Sequence, residues 1–305
     1  VPDCPRVARF QRALVAAGRS PAAFVSYLDL IAGRSHPGWA LPRGGLVRIE
    51  SPGRCFEVEK ALLALGADVD DEPGPSRISR EEALRLVFDR GRLRHPRQWF
   101  LGYREVLRRV DAGLDRFLHT PLNPSEEVAT MFDKRLCHAL LAGRGVACPE
   151  GLGRVNSYEA LRDRMRRTRI SRVFVKLAHG SSASGVVALA VGARGVVATT
   201  TVEAERAGGE LRLYNTRAVR RIDDEAEIAA VVDALAREGV HVERWIPKAG
   251  LDGRSVDLRV VTIAGKAEHV VLRMADGPMT NLHLGGRRGA VEALLNRMPE
   301  GAWAA

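Results

Sequence analysis

Fifteen residues near the middle of the chain restrict the fold more than any other stretch: Val173-Phe174-Val175-Lys176-Leu177-Ala178-His179-Gly180-Ser181-Ser182-Ala183-Ser184-Gly185-Val186-Val187. The β-branched and aromatic run at its start predicts a strand, and Val186-Val187 begins a second. Between them lie small residues bounded by a glycine at either end, so the loop's backbone amides can approach a ligand closely. The expected unit is two strands joined by a loop, with a lysine at its mouth.

That lysine is one of five in a chain that carries 47 basic residues and a net charge of +10. Where charge alone is needed this sequence uses arginine. A retained lysine points to a compact, mobile point charge, the form suited to phosphate oxygens. A solvated lysine beside an ordinary hairpin is the alternative reading. Gly180 and Gly185 have the GxxxxG spacing of a P-loop, but Val186 and Val187 stand where Lys and Ser/Thr would follow, which excludes a P-loop NTPase. No HRD…N or DFG set follows, which sets a protein kinase aside.

A length of 305 residues allows two domains, and 46% apolar with 28% charged residues is the composition of a soluble globular protein. No stretch approaches the roughly 18 apolar residues of a membrane span, and the first residues hold no secretory apolar core, so a cytoplasmic protein without a membrane partner is expected. Cys4, Cys55, Cys137 and Cys148 form no CxxC pair, which predicts reduced thiols rather than a zinc knuckle or disulfide scaffold. The eight histidines show no metal-binding spacing. Six arginines between Arg162 and Arg172 raise a nucleic-acid reading, but with 5% aromatics there are no stacking platforms, and nucleic acid is not the expected partner. The sequence sets no oligomeric state.

Along the chain, helical spacing covers 6–17, Phe24 to Leu30 reads as a strand, and Leu46 to Glu50 reads as a strand followed by a helix from Cys55 to Leu65. Glu50 to Gly53, between them, is a candidate substrate contact or a connector turn. Asp68 to Ser76 is an acidic loop, and a long helix is expected from Gln98 to Phe117. Thr120-Pro121-Leu122-Asn123-Pro124-Ser125 is the expected domain boundary, with Ser125 capping one helix that continues to Leu141. Beyond it the pattern predicts helices over 157–167 and 224–237, strands over 191–217 and 240–246, and a hairpin of Asp257–Ile263 and Glu268–Met274.

The loop keeps ordered company. Asp133-Lys134 precedes it; Glu243-Arg244-Trp245-Ile246-Pro247, Asp257-Leu258-Arg259-Val260-Val261, Arg273 and Thr280-Asn281-Leu282-His283-Leu284-Gly285-Gly286 follow. In this order, over residues 121–289, the chain resembles the ATP-grasp superfamily, most closely its branch of RimK-type carboxylate–amine ligases. The resemblance implies an α/β protein: a Rossmann-like pre-ATP-grasp substrate domain over 1–120, then an α+β ATP-grasp domain over 121–305 with two subdomains, the last incomplete. It implies ATP as the bound nucleotide. Lys134 and Lys176 would contact its phosphates from two sides, with Gly180, Ser181, Ser182 and Gly185 folding over them as a lid. Glu243 would face the adenine amino group, the backbone of Arg244, Trp245 and Ile246 would read the adenine edge, and Asp257 would accept from the ribose. Arg273 and Asn281 would be catalytic at the γ-phosphate and the acyl phosphate, with the Gly285 and Gly286 amides on the acyl oxygen. The partners implied are a small-molecule or peptide carboxylate and an amine. His179 and His283 read as satisfied loop histidines, and Arg287-Arg288 as either a basic turn or a contact for an acidic substrate.

Two departures from the family stand out. Ala183 replaces a lid glycine. The family also holds Mg2+ with an acidic residue on a late strand and a following Glu-x-Asn pair, whereas after Gly289 this chain offers only Glu292, Asn296 and Glu300. Magnesium is thus implied by the family while its ligands are not expected in this chain. The absent initiator Met and the short C-terminal segment predict either a piece of a longer ligase or a nucleotide-binding relic. Three functions remain open: a carbon–nitrogen ligase, a catalytically silent nucleotide-binding module, and an arginine-rich nucleic-acid-binding protein.

Overall fold

Among the described residues, five of the helices begin where a short polar side chain takes up one of the first unpaired amides. The Oγ atoms of Ser26, Ser79 and Ser157 accept from the Asp29, Glu82 and Ala160 amides at 3.1 Å, and Asp133 and Asp224 do the same at 2.8 and 2.9 Å. The computed structural model describes residues 4–40, 44–53, 55–69, 77–114 and 119–298. Its contacts divide the chain into two compact units, one of 1–90 with 94–146, the other of 91–93 with 147–305.

The first unit is mostly helical: α1 (Pro5–Ala16), α2 (Tyr27–Ile31), α3 (Pro37–Ala40), β1 (Gly45–Val47), α4 (Phe56–Ala67), α5 (Arg80–Arg85), α6 (Pro96–Ala112), β2 (His119–Pro121), α7 (Ser125–Phe132) and α8 (Lys134–Gly143). Its core joins Val58, Leu62 and Leu65 of α4 to Tyr103, Val106, Leu107 and Val110 of α6. The two helices cross closely because glycines meet there: a Cβ on Gly102 would lie 1.9 Å from the Leu62 carbonyl oxygen. Buried Gln98 ties the unit together, donating to the Leu63 and Ile78 carbonyls at 2.8 and 2.9 Å and accepting from the Ile78 amide at 2.9 Å.

Several expectations for this unit are corrected. Phe24 to Leu30 is not a strand, because Ser26 caps a helix that starts at Tyr27. The long helix ends at Ala112, and the 115–117 part of its expected span lies outside the described residues, as does 70–76 of the acidic loop. Ser125 does not cap its helix; Pro124 holds that position and the Ser125 hydroxyl donates to Asp111 at 2.7 Å. The helix expected to run on to Leu141 breaks at Asp133, whose carboxylate restarts it as α8. The break at Thr120–Ser125 falls inside the first unit. β2 pairs in parallel with β1 there, and Phe132 of α7 stacks on Phe100 and packs against Trp99 and Tyr103, so the division between units comes after Val146 instead. Among the described residues the parallel pair β1–β2 is the only sheet of this unit.

The second unit follows α9 (Tyr158–Thr168) with β3 (Arg172–Leu177), β4 (Val186–Gly192), β5 (Gly195–Ala207), β6 (Glu210–Ile222), α10 (Glu225–Arg237) and β7 (Val240–Arg244). The strands form one antiparallel sheet in the order β6-β5-β4-β3-β7. Alternation decides its two faces. Val173, Val175 and Leu177 of β3, with Val187, Leu189, Val240 and Val242, pack against Leu161 and Met165 of α9 and Ile228, Val232 and Leu235 of α10. Phe174, Lys176, His241 and Glu243 therefore lie on the face turned away from the helices.

A second sheet, in the order β11-β10-β9-β8, is built from β8 (Ala249–Leu251), β9 (Arg254–Ile263), β10 (Lys266–Ala275) and β11 (Arg287–Gly289), and α11 (Val291–Leu295) ends the described chain. The β9–β10 turn is Ala264-Gly265, both left-handed at φ 50° and 79°, the two-residue geometry that matches strand twist. Leu251, Val256, Leu272 and Met274 form this sheet's own small core. The whole is a mixed α/β protein with several sheets. No helix among the described residues is long and apolar enough to cross a membrane, and the four cysteines are free thiols.

Candidate functional site

The antiparallel register of β3 and β7 places Phe174 opposite Glu243 and Lys176 opposite His241. Lys176 Nζ reaches across to donate to Glu243 Oε1, and His241 Nε2 donates to Oε2 at 3.0 Å. Burial pushes the Glu243 carboxyl up, but the His241 bond and the Lys176 charge outweigh it and hold it at about 2. The carboxylate is thus ionised at neutral pH and accepts without donating. Apolar surface surrounds it. The Phe174 and Trp245 rings are 5.4 Å apart, Lys176 Nζ lies 5.3 Å from the Phe174 ring centre, and the Arg172 guanidinium is 5.9 Å from that of Trp245. Ile246, 54% exposed, continues this surface.

The backbone at this strand end differs from expectation. The Arg244 amide donates to the Glu150 carbonyl at 2.8 Å and the Trp245 amide to the Arg172 carbonyl at 2.9 Å. Both amides are committed to the sheet, and of the three residues whose backbone was expected to read a ligand edge, Ile246 alone has an amide without a backbone acceptor among the described residues.

The loop at the end of β3 is held rather than loose. Ser182, Ala183 and Gly185 take left-handed φ values of 54°, 59° and 62°. Glycine is required only at the last of these: a Cβ there would lie 2.4 Å from Leu177 Cδ1. The Ser184 amide closes a turn on the Ser181 carbonyl at 2.9 Å, and Gly180 packs beside Leu177. Asn215 accepts from the Gly185 amide at 3.3 Å, Thr201 donates to the Ala183 carbonyl at 2.9 Å, and His283 Nε2 donates to the Ser182 carbonyl at 2.9 Å. The Ser181 and Ser182 side chains remain exposed.

A second polar cluster sits on β9 and β10. Asp257 Oδ1 accepts from Arg273 Nε at 2.7 Å, and Oδ2 accepts from Lys248 Nζ at 2.8 Å and from the Thr280 hydroxyl. Lys248 also donates to Thr280 Oγ1 at 2.6 Å, so the hydroxyl relays between lysine and carboxylate. Burial raises the Asp257 carboxyl, and the bonds from Arg273, Lys248 and Thr280 more than offset it, leaving it below the ordinary carboxylate value. Three of the four carboxylate lone-pair sites are taken, leaving one on Oδ1. Asn281 follows Thr280 and begins a 3-10 turn, Leu282–Leu284; its carbonyl accepts from the Leu284 amide at 3.0 Å and the Gly286 amide at 3.3 Å. Of the two glycine amides expected to face a ligand, Gly286 is thereby engaged.

The structure brings Lys176, Glu243, Trp245 and Ile246 together at one sheet end, and Asp257 and Arg273 at another. Lys134 opens α8 in the first unit, directly after the capping Asp133. Sequence reasoning missed Lys248, Thr280, His241, Asn215 and Thr201. Lys248 carried the signal already applied to Lys176, since it too is one of the few lysines. His241 lies two residues before Glu243, hence on the same face of the strand. Asn215 and Thr201 carried no such signal, because only the β5–β6 pairing brings them to the loop.

The carboxylates do not fit a divalent cation. Glu243 is gripped by Lys176 and His241, and Asp257 by Lys248 and Arg273, so positive charge already fills the positions a metal would take. Among the described residues no group of three or more His, Cys, Asp or Glu side chains could hold one. Compared with protein-family models, with curated proteins and with solved structures, the chain matches none.

Proposed function

We propose that the second unit is an ATP-grasp nucleotide-binding domain and that the protein is an ATP-dependent carbon–nitrogen ligase. The observation that carries the reading is the end of the five-stranded sheet. An ionised Glu243, the lysine that pairs with it and the apolar faces of Phe174 and Trp245 lie on one face of β3 and β7, and β3 leads directly into a pinned small-residue loop. An adenine needs an acceptor for its amino group and a flat apolar wall, and phosphates need a cation and close amides; this sheet end supplies both. The first unit is assigned as the substrate domain, on the parallel β1–β2 pair and the following α4.

In the reaction, a carboxylate oxygen attacks the γ-phosphorus, the bond to the β-phosphate oxygen breaks, and ADP leaves. The amine nitrogen then attacks the acyl carbon of the acyl phosphate, inorganic phosphate leaves, and the amine gives up a proton. Lys176 and Arg273 offset the charge gathered in the first step, and the 180–185 loop keeps water from the acyl phosphate. No step is assigned to a metal ion.

The test is calorimetry with ATP and GTP, followed by ADP release on adding a carboxylate and an amine. ATP binding in preference to GTP, with release that requires both substrates, is expected. ATP binding without substrate-dependent release would leave a nucleotide-binding module, the second reading, which the poor fit of the carboxylates to a metal favours. Salt-sensitive binding to arbitrary RNA or DNA with no response to ATP would overturn both.

A further inference from the structure

The register of the four-stranded sheet arranges its charged side chains in rows. Asp257, Arg273 and Arg288 stand directly opposite one another on β9, β10 and β11. Arg259 is two residues along β9 from Asp257 and so shares its face, and Lys248 reaches the same carboxylate. Leu258, Leu272, Val256 and Met274 point the other way, into the small core. The polar face therefore sets four cations against one carboxylate.

Arg259 and Arg288 are exposed, and neither forms an ion pair among the described residues. The other acids of this hairpin do not serve them: Glu268 lies in the β-bulge near the turn, and Asp276 pairs with Arg254 at 2.9 Å. Arg273 and Arg288 occupy directly opposed positions, where like charges are destabilising. One carboxylate, already shared with Lys248 and Thr280, does not neutralise them. A polyanion would, since guanidinium groups grip phosphate oxygens through paired, charge-assisted hydrogen bonds.

Phosphate sites commonly offset their charge with a divalent cation held by carboxylates. Here the carboxylates are occupied by lysine, histidine and arginine, and the excess positive charge lies in the protein. We propose that Arg259, Arg273, Arg288 and Lys248 bind the polyphosphate of the nucleotide directly, with no divalent cation in the bound complex. The inference rests on the nucleotide reading above and specifies how that site meets its charge.

The experiment is calorimetry on the full chain, with ATP and separately with inorganic tripolyphosphate, in excess Mg2+ and in EDTA. ATP affinity is expected to change less than about threefold on chelation, and Arg259→Gln and Arg288→Gln each to weaken ATP and tripolyphosphate at least about fivefold in EDTA. Thermal melts establish that both variants fold, which their exposed positions predict. Loss of ATP binding on chelation overturns the proposal, as does full affinity for both ligands in the two arginine variants. If ATP fails in both buffers while tripolyphosphate binds in EDTA and loses affinity in Arg288→Gln, the arginine face stands and the nucleotide reading falls. If neither ligand binds in EDTA, the arginine face falls.

Discussion

Lys176 and Glu243 are diagonal partners across two strands, two residues out of register. Lys176 stands opposite His241 and Phe174 opposite Glu243, so the ammonium reaches diagonally to Oε1 while His241 takes Oε2 at 3.0 Å. A carboxylate fixed by both oxygens cannot rotate away, which leaves a rigid acceptor beside the Phe174 and Trp245 rings. The arrangement ties the folding of the sheet to the charge state of the candidate site.

That tie has a pH signature. Glu243 is held at about 2, below the ordinary 4.5. The unfolded chain takes up this proton first as pH falls, so the stabilisation is complete above about 4.5 and disappears between there and about 2. A shift of that size corresponds to roughly 3 kcal/mol. Urea denaturation of the wild type and Glu243→Gln at pH 6 and at pH 3 should show the wild type losing more stability by a large part of that amount. Parallel losses in the two proteins would remove Glu243 as the source.

Lys176→Ala should weaken ATP binding at least about tenfold, a loss near 1.4 kcal/mol, while leaving the fold intact. Lys176→Arg should not restore it, because a planar fork does not replace a point charge on a site this close to Glu243. Calorimetry decides each, and normal affinity in Lys176→Arg would end the reasoning from lysine scarcity.

Local signals carried through well. The helices at Phe56–Ala67, Tyr158–Thr168 and Glu225–Arg237 and the strands around Lys176 follow from side-chain period and from caps such as Ser157 and Asp224, which act over a few residues. Failures came where one polar side chain overrode the pattern. Ser26 turned an apolar run into a helix, and Asp133 divided one helix into two. The site was legible where residues share a strand, as His241 and Glu243 do, or recur as rare lysines, as Lys248 does. Pairing across strands was not: nothing in the sequence sets Arg288 opposite Arg273, or commits the Arg244 and Trp245 amides to Glu150 and Arg172.

The loop should respond in opposite ways to two small changes. Ala183 is left-handed at φ 59°, a conformation that costs a non-glycine residue about 1–2 kcal/mol, so Ala183→Gly should be neutral to stabilising by up to about 1 kcal/mol after the entropy of glycine is counted. Gly185→Ala places a Cβ 2.4 Å from Leu177 Cδ1 at φ 62°, and should destabilise by roughly 2 kcal/mol. Thermal melts of the two variants give the comparison. Equal midpoints would mean that the loop does not hold this conformation in solution.

Asp257 separates the two ways in which the second sheet could meet a nucleotide. Asp257→Asn keeps the shape, and its carbonyl can still accept from Arg273 or Lys248, but the negative charge that offsets Arg273 and Lys248 is gone. Stability should fall by about 1–3 kcal/mol, the range for hydrogen bonds to a charged group. On the polar face this leaves the arginines and Lys248 with no acid opposite them, so tripolyphosphate should bind more tightly in the variant. ATP should gain less than tripolyphosphate, or lose affinity, if the remaining acceptor position on Oδ1 serves the ribose. Calorimetry with both ligands on both proteins, at fixed ionic strength, measures that difference. An equal gain for ATP and tripolyphosphate would assign Asp257 to charge balance alone and take the ribose contact away from it.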